Sequence, residues 1–136
     1  MLVAFGFGGA LLVGLAGCAR GSSDMGGGPS DRTTYPAGPH GTAEGEIIAD
    51  LAFVGPDGGD VTLGTLFGDP ANRLLLLATA AGWCTACIEE QPSLESLFVD
   101  HAERGLRVLV SLFEDAEFAP ADAALARAWK AEHRLT

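Results

Sequence analysis

Two short apolar runs, separated by a stretch of helical length, constrain the fold more than any other feature of this chain. Residues 74–79 are almost continuously apolar, a pattern typical of strands buried on both faces. A buried helix segment is the alternative, but Arg73 before the run and Gly82 after it favour a strand. Residues 106–113 predict a second buried strand of the same kind.

The stretch between these runs predicts a helix from Cys84 to about Arg104, because its apolar residues recur at three- and four-residue intervals. Gly105 is well placed to end that helix. A strand, a helix and a second strand in this order predict a right-handed crossover between two parallel strands. Pro120 is expected in the first turn of a further helix that ends near His133.

The residues before this unit predict a β-hairpin. Residues 46–54 and 60–63 read as short strands, and the glycine- and proline-rich residues 55–59 between them form a dense turn signal. One helical turn is expected at residues 65–67, ended by Gly68-Asp69-Pro70.

The bulk composition allows one modest domain and excludes some partners. The chain has 136 residues, of which 48% are hydrophobic, so it can build a core. Its formal net charge of -10 argues against nucleic acid and against electrostatic binding to anionic lipid.

The N-terminus predicts an export signal. Residues 1–17 are apolar and carry no charged side chain, but they are short for a membrane span, which needs about 20 apolar residues. They end in Leu15-Ala16-Gly17-Cys18, which resembles the lipobox of bacterial lipoproteins, where the cysteine is acylated. No basic stretch precedes the apolar run, so an uncleaved N-terminal anchor is the alternative interpretation.

Residues 18–45 are predicted to be a flexible linker behind that cysteine. They are rich in Gly, Ser and Pro and have few large apolar residues, so they bury too little surface to offset the entropy of ordering. His40 within this segment is expected to be solvated. The predicted division of the chain is therefore a signal peptide at 1–17, a linker at 18–45 and a domain at 46–136.

The two cysteines of the predicted domain, Cys84 and Cys87, carry the chemistry. Cys84 is expected at the start of a helix, just past the carboxyl end of a strand, where active sites of open α/β sheets cluster. Free backbone N–H groups and the helix dipole favour the thiolate there, and the thiolate is the reactive form. Cys87 lies one turn later, within disulfide reach.

The sequence gives less support to other functions of such a cysteine pair. A zinc site needs four ligands, and only His101 and His133 remain in the domain, far apart in sequence. A c-type haem site needs His directly after the second cysteine, where Ile88 stands. A purely structural bridge across so short a loop stabilises little.

The segment Trp83-Cys84-Thr85-Ala86-Cys87, followed by Glu90 and Pro92 and preceded by the hairpin, resembles the extracytoplasmic thioredoxin-like, or redoxin, proteins. The resemblance covers residues 46–136 and implies an α/β thioredoxin-like fold: an N-terminal hairpin and a βαβα core. It implies a positioning role for Trp83, proton handling by Glu90 and a helix kink at Pro92. A solvated acid is the equally weighted alternative for Glu90, and Glu89 is expected to be solvated.

Three departures from the family pattern stand out. Ala78 replaces the buried Asp that some thioredoxins carry six residues before the first cysteine. Ala81 replaces the Thr of peroxiredoxins, which counts against peroxidase activity. The C-terminal ββα half of the family fold, with its cis-proline loop, is expected to be missing, which leaves part of the sheet edge exposed.

The function that this pattern predicts is thiol–disulfide exchange in the bacterial cell envelope. The expected partners are protein disulfides or dithiols, an upstream redox partner and the membrane, through lipid on Cys18. No cofactor, metal or nucleic acid is expected. The alternatives are a copper carrier of the same superfamily and an incomplete domain without activity.

Overall fold

The structure is a computed structural model that describes residues 2–6 and 32–136. The chain is mixed α/β, as predicted. Its elements in chain order are β1 (Leu2–Gly6), β2 (Ala52–Val54), β3 (Asp60–Thr62), α1 (Leu63–Gly68), β4 (Leu74–Ala80), α2 (Thr85–His101), β5 (Leu106–Leu112) and α3 (Ala123–Glu132). A 3-10 turn at Ala102–Arg104 lies between α2 and β5.

The strands form one sheet in the order β3-β2-β1-β5-β4. Strands β4 and β5 are parallel, in a register that runs from Leu74 opposite Leu106 to Ala80 opposite Leu112. Helix α2 connects them, so the predicted strand–helix–strand unit is confirmed. Strand β1 pairs in parallel with β5 and antiparallel with β2.

The predicted hairpin is confirmed, but its first strand is shorter than expected. The turn closes through Gly58 N, which donates to Gly55 O at 2.9 Å. Strand β2 covers only Ala52–Val54, because the residues before it bond to the start of α1 instead of a strand. The Asp50 carboxylate accepts from Gly64 N at 2.6 Å, and Leu51 O accepts from Leu63 N at 3.0 Å.

Strand β5 is buried on both faces, as predicted. Val108, Val110 and Leu112 pack with Leu94 of α2 and Trp129 of α3 in one cluster. On the opposite face, Leu109 packs with a second cluster that includes Phe53 and Leu63. The two-residue alternation of a strand thus divides the core between the two faces of the sheet.

Strand β4 does not match the predicted burial on both faces. It lies at the edge of the sheet within the described residues, and its central leucines are only half-buried. Leu74 at its start keeps 65% of its surface exposed. The apolar run therefore predicted the strand correctly but its burial wrongly. The pattern of apolar residues carries no information on which elements cover each face of a strand.

The helix ends follow local signals. Gly105 has a φ of 94°, the left-handed conformation that ends a helix, and it closes the 3-10 turn after α2 as predicted. The predicted start of the last helix at Pro120 is wrong. Asp122 caps α3 by accepting from Leu125 N at 2.8 Å, and Pro120 pairs with Glu114 in an isolated bridge instead.

The structure describes only parts of the predicted signal peptide and linker. Within the predicted signal peptide, Leu2–Gly6 form strand β1, whereas residues 7–17 and Cys18 lie outside the described residues. Within the predicted linker, the described part packs on the domain: Tyr35 donates to Ile48 O at 2.9 Å and its ring contacts Phe67 edge-on at 5.6 Å. His40 is exposed. No helix in the described ranges is long and apolar enough to cross a membrane.

Candidate functional site at the start of helix α2

The cysteine pair lies at the carboxyl edge of the sheet, where β4 turns into α2. The chain leaves β4 at Ala80, and Ala81 is fully buried beneath the turn. Cys84 N donates to Ala81 O at 3.0 Å, which tightens this turn. Cys84 is the N-cap residue of α2, so the predicted position of the first cysteine is confirmed.

Cys84 and Cys87 are joined in a disulfide with an S–S distance of 2.04 Å. Cys87 N donates to the Cys84 sulfur at 3.2 Å, so that sulfur occupies the place of a helix-capping oxygen. Both cysteines are half-buried, which leaves the bond open to an attacking thiolate. Thr85 and Ala86 between them are exposed.

Trp83, the residue before the pair, is held by a part of the chain far from it in sequence. Its indole N–H donates to Glu114 Oε2 at 2.8 Å. Its ring stacks on Phe118 at 5.6 Å and meets Phe113 edge-on at 6.0 Å. Trp83 nevertheless keeps 44% of its surface exposed, so part of this residue remains accessible next to the disulfide.

The loop between β5 and α3 packs directly against the turn that carries the cysteines. Gly82 N donates to Glu114 O at 2.9 Å, and Phe113 N donates to Ala80 O at 3.2 Å. These bonds extend the contact of β4 with β5 beyond the ends of both strands. A side chain at position 82 would not fit, because its Cβ would lie 2.5 Å from Ala116 N.

Gln91 supports the pair from the core side. It is fully buried, its Nε2 donates to Cys87 O at 2.7 Å, and its Oε1 accepts from the indole N–H of Trp129 at 3.1 Å. Helix α3 is thereby connected to the backbone of the second cysteine. Trp129 is itself buried and packs in the core cluster that includes Leu94 and Val108.

Glu90 and Glu89 are exposed on α2, and neither side chain makes a hydrogen bond within the described part of the chain. The arrangement does not choose between proton transfer and simple solvation for Glu90. Pro92 lies inside α2, which continues through it to His101. No three His, Cys, Asp or Glu side chains among the described residues converge as a metal site would require.

Charge at this edge of the sheet has one sign. Residues 81–103 and 108–126 contain no Lys or Arg, whereas they include Glu89, Glu90, Glu114, Asp115 and Glu117. The cationic residues that flank these stretches are Arg73, Arg104, Arg107 and Arg127. The first three lie at or next to the amino ends of β4 and β5, at the opposite edge of the sheet, and Arg127 lies in α3 and donates to Pro56 O on the hairpin. A negative potential at the disulfide follows.

Three residues of this site were not found by sequence reasoning: Gln91, Glu114 and Phe118. A signal for Gln91 was present, since it lies one helical turn after Cys87, on the face that also holds Leu94. No local signal exists for Glu114 or Phe118, because their contacts with Trp83 depend on the packing of β4 beside β5.

Comparison of the chain with protein-family models, with curated proteins and with solved structures finds no match. The arrangement of residues at this site is therefore the basis for its functional interpretation.

Proposed function

We propose that this chain is a thiol–disulfide oxidoreductase of the thioredoxin-like type, and that Cys84 and Cys87 are its redox pair. The observation that carries the proposal is the closed, half-exposed disulfide at the N-cap of α2, beside the exposed ring of Trp83. The hairpin followed by the parallel β4–α2–β5 unit supports a thioredoxin-like arrangement.

The reaction begins from the reduced pair. The Cys84 thiolate attacks one sulfur of a substrate disulfide, a new S–S bond forms, and the other substrate sulfur leaves as a thiolate that takes up a proton. The Cys87 thiolate then attacks the Cys84 sulfur and displaces the second substrate sulfur. Two electrons pass to the substrate and the Cys84–Cys87 disulfide closes, so a second dithiol must reduce the enzyme again. In the reverse direction the pair oxidises a substrate dithiol.

Cys84 is the attacking residue because its sulfur lies at the positive end of α2 and receives the N–H of Cys87. Trp83 positions the substrate through the exposed side of its ring. Glu90, exposed one turn after Cys87, carries protons between the pair and solvent. Gln91 fixes the carbonyl of Cys87 and acts as a positioning residue.

A redox titration tests this function. The full chain with Cys18→Ser retains only the two cysteines of the pair, and it is equilibrated with thiol buffers of graded potential before its free thiols are alkylated. The expected result is one reversible two-electron transition, measured as the fraction of chains that carry two alkyl groups. The matched control, the same chain with Cys84→Ser, should show no transition.

Two results would contradict the proposal: free thiols that never re-form the disulfide, or a reversible disulfide that fails to exchange with any added disulfide. The second result would identify a domain whose own disulfide opens and closes reversibly but which has no oxidoreductase activity.

The location is part of the same proposal: export of the chain and acylation of Cys18 in the bacterial envelope, with the domain outside the cytoplasm. Cleavage before Cys18 would remove β1 from its place between β2 and β5. Incorporation of labelled fatty acid into the wild type but not into the Cys18→Ser chain, with the mass of the mature N-terminus, tests it. A mature chain that retains residues 1–17 would contradict it.

A further inference from the structure

The surface beside the disulfide combines exposed aromatic rings with carboxylates. Hydrogen bonds and ring contacts fix the positions of these side chains. We define the aromatic platform as Trp83, Phe113 and Phe118, which keep 44%, 48% and 66% of their surfaces exposed. Three large rings exposed together next to a reactive bond are unusual, because aromatic side chains are normally among the main contributors to a core or an interface.

Phe118 is fixed in this position at an energetic cost. Its φ is 64°, the left-handed region, which costs a residue other than glycine about 1–2 kcal/mol. A bulky residue in this conformation, with its ring directed to the surface, is stabilised by its surroundings and points to a functional role.

Asp115 supplies that stabilisation. Its Oδ1 accepts from Glu117 N at 2.9 Å and from Ala119 N at 2.8 Å, which closes the backbone around Phe118. Asp115 N also donates to Ala119 O at 2.8 Å. These hydrogen bonds within the loop therefore hold the Phe118 ring against Trp83.

The charges around the platform specify its partner. Glu114 lies in contact with Trp83 and Glu117 is exposed beside Phe118, while no Lys or Arg occurs between residues 108 and 126. Arg127, the first cation after this stretch, donates to Pro56 O at 2.6 Å, on the hairpin. A ligand that is both cationic and apolar fits such a surface, since a guanidinium binds over aromatic rings and is attracted by carboxylates.

We propose that the aromatic platform and its carboxylates, Glu114 and Glu117, select polypeptide substrates in which Arg or Lys and an apolar residue flank the reacting cysteine. This inference rests on the proposed function and specifies its substrate class. Acidic polypeptides are disfavoured at the encounter stage, and small uncharged disulfides neither gain nor lose from the platform.

The test compares rates of disulfide reduction by the reduced Cys18→Ser chain. Two peptides with an internal disulfide and identical apolar residues carry either Arg or Glu beside the cysteine, and hydroxyethyl disulfide is the small uncharged reference. The Arg peptide is expected to react roughly tenfold faster than the Glu peptide at low ionic strength. This ratio should fall as salt is added, because exposed charges are screened.

Variants assign the preference to the platform. The double substitution Glu114→Gln with Glu117→Gln keeps an acceptor for the Trp83 indole and should reduce the Arg-to-Glu ratio several-fold. Asp100→Asn with Glu103→Gln, two exposed acids near the end of α2 and in the turn after it, removes the same two charges elsewhere and should leave the ratio unchanged. Phe118→Gly removes the ring at a position whose φ suits glycine, and should slow both peptides relative to hydroxyethyl disulfide.

The outcomes separate the two proposals. Equal rates for the Arg and Glu peptides, with normal reduction of hydroxyethyl disulfide, would overturn the substrate preference alone. A failure to reduce hydroxyethyl disulfide would overturn the proposed function and this inference together. An unchanged ratio in the double Gln variant would show that other carboxylates, and not this surface, select the substrate, which also overturns the inference.

Discussion

Gln91 and Trp129 are 38 positions apart in the chain, yet the indole N–H of Trp129 donates to Gln91 Oε1 at 3.1 Å within the core. The other end of the same amide donates to the carbonyl of Cys87 at 2.7 Å. One buried side chain thus joins α3 to the backbone of the redox pair. The interaction makes the cysteines sensitive to substitutions in a helix that does not contain them.

Replacement of Gln91 by Leu keeps the approximate volume but leaves the buried indole N–H of Trp129 without its acceptor. The free energy of unfolding should fall by about 1–3 kcal/mol, the usual cost of an unsatisfied buried donor. Chemical denaturation of the oxidised chain measures it. The matched comparison is Gln91→Leu in a Trp129→Phe background, where the donor is already absent and the cost should be clearly smaller. Equal costs in the two backgrounds would contradict the coupling.

Replacement of Gly82 by Ala should destabilise the chain and disturb Trp83. The added Cβ would lie 2.5 Å from Ala116 N and 2.7 Å from the carbonyl carbon of Asp115, which are backbone atoms and cannot rotate away. We expect a loss of about 1–3 kcal/mol, with a change in Trp83 fluorescence in a Trp129→Phe background, where it is the sole tryptophan.

Gly68→Ala is the control for this substitution. Gly68 is the last residue of α1, and within the described part of the chain the one atom near its added Cβ is Arg32 O at 3.5 Å. Stability should be unchanged or higher by up to about 1 kcal/mol. If Gly82→Ala were as well tolerated as Gly68→Ala, the loop after β5 would not pack on the cysteine turn as described.

Reduced chain should alkylate faster at Cys84 than at Cys87. The Cys84 sulfur lies at the N-terminus of α2 and receives a backbone N–H, and both features favour its thiolate. Partial alkylation with limiting reagent, followed by peptide mass analysis, gives the two rates. Faster reaction at Cys87 would reverse the order of attack in the proposed mechanism.

The pKa of Tyr35 is raised above its ordinary value of 10.0, first by burial and second by the Asp50 carboxylate. As the pH rises, the unfolded chain loses the tyrosine proton at a lower pH than the folded chain does. Protonated Tyr35 therefore contributes its full share of the free energy of unfolding at pH values below the ordinary pKa. This contribution is lost as the pH rises through the folded-state pKa. Tyr35 is the only tyrosine, so ultraviolet titration of the tyrosinate reports its pKa directly.

Tyr35→Phe should remove this part of the alkaline loss of stability, at the cost of the bond to Ile48 O. A titration midpoint at or below the value of an exposed tyrosine would show that the segment around Tyr35 does not pack on Phe67 in solution.

The strand–helix–strand unit, the hairpin turn and the helix stop at Gly105 could be predicted because each depends on residues close together in sequence. The position of Cys84 followed from them. The contacts of Trp83 could not be predicted, since they require the register of β4 beside β5 to bring residue 114 to residue 83. Pro120 was placed in a helix because proline suits a first turn, but Asp122 provides the stronger cap and starts the helix later.

The construction of the loop after β5 has a consequence for how a protein of this kind can diversify. Asp115 closes the loop on itself, and the atoms nearest to a Cβ at Gly82 are backbone atoms of Asp115 and Ala116. The side chains at positions 116 and 117 can therefore be exchanged without disturbing the turn that bears the cysteines, whereas Phe118 stacks on Trp83 of that turn. Substrate preference and disulfide exchange can then evolve independently. Duplicated copies could acquire new substrates while they keep the same chemistry.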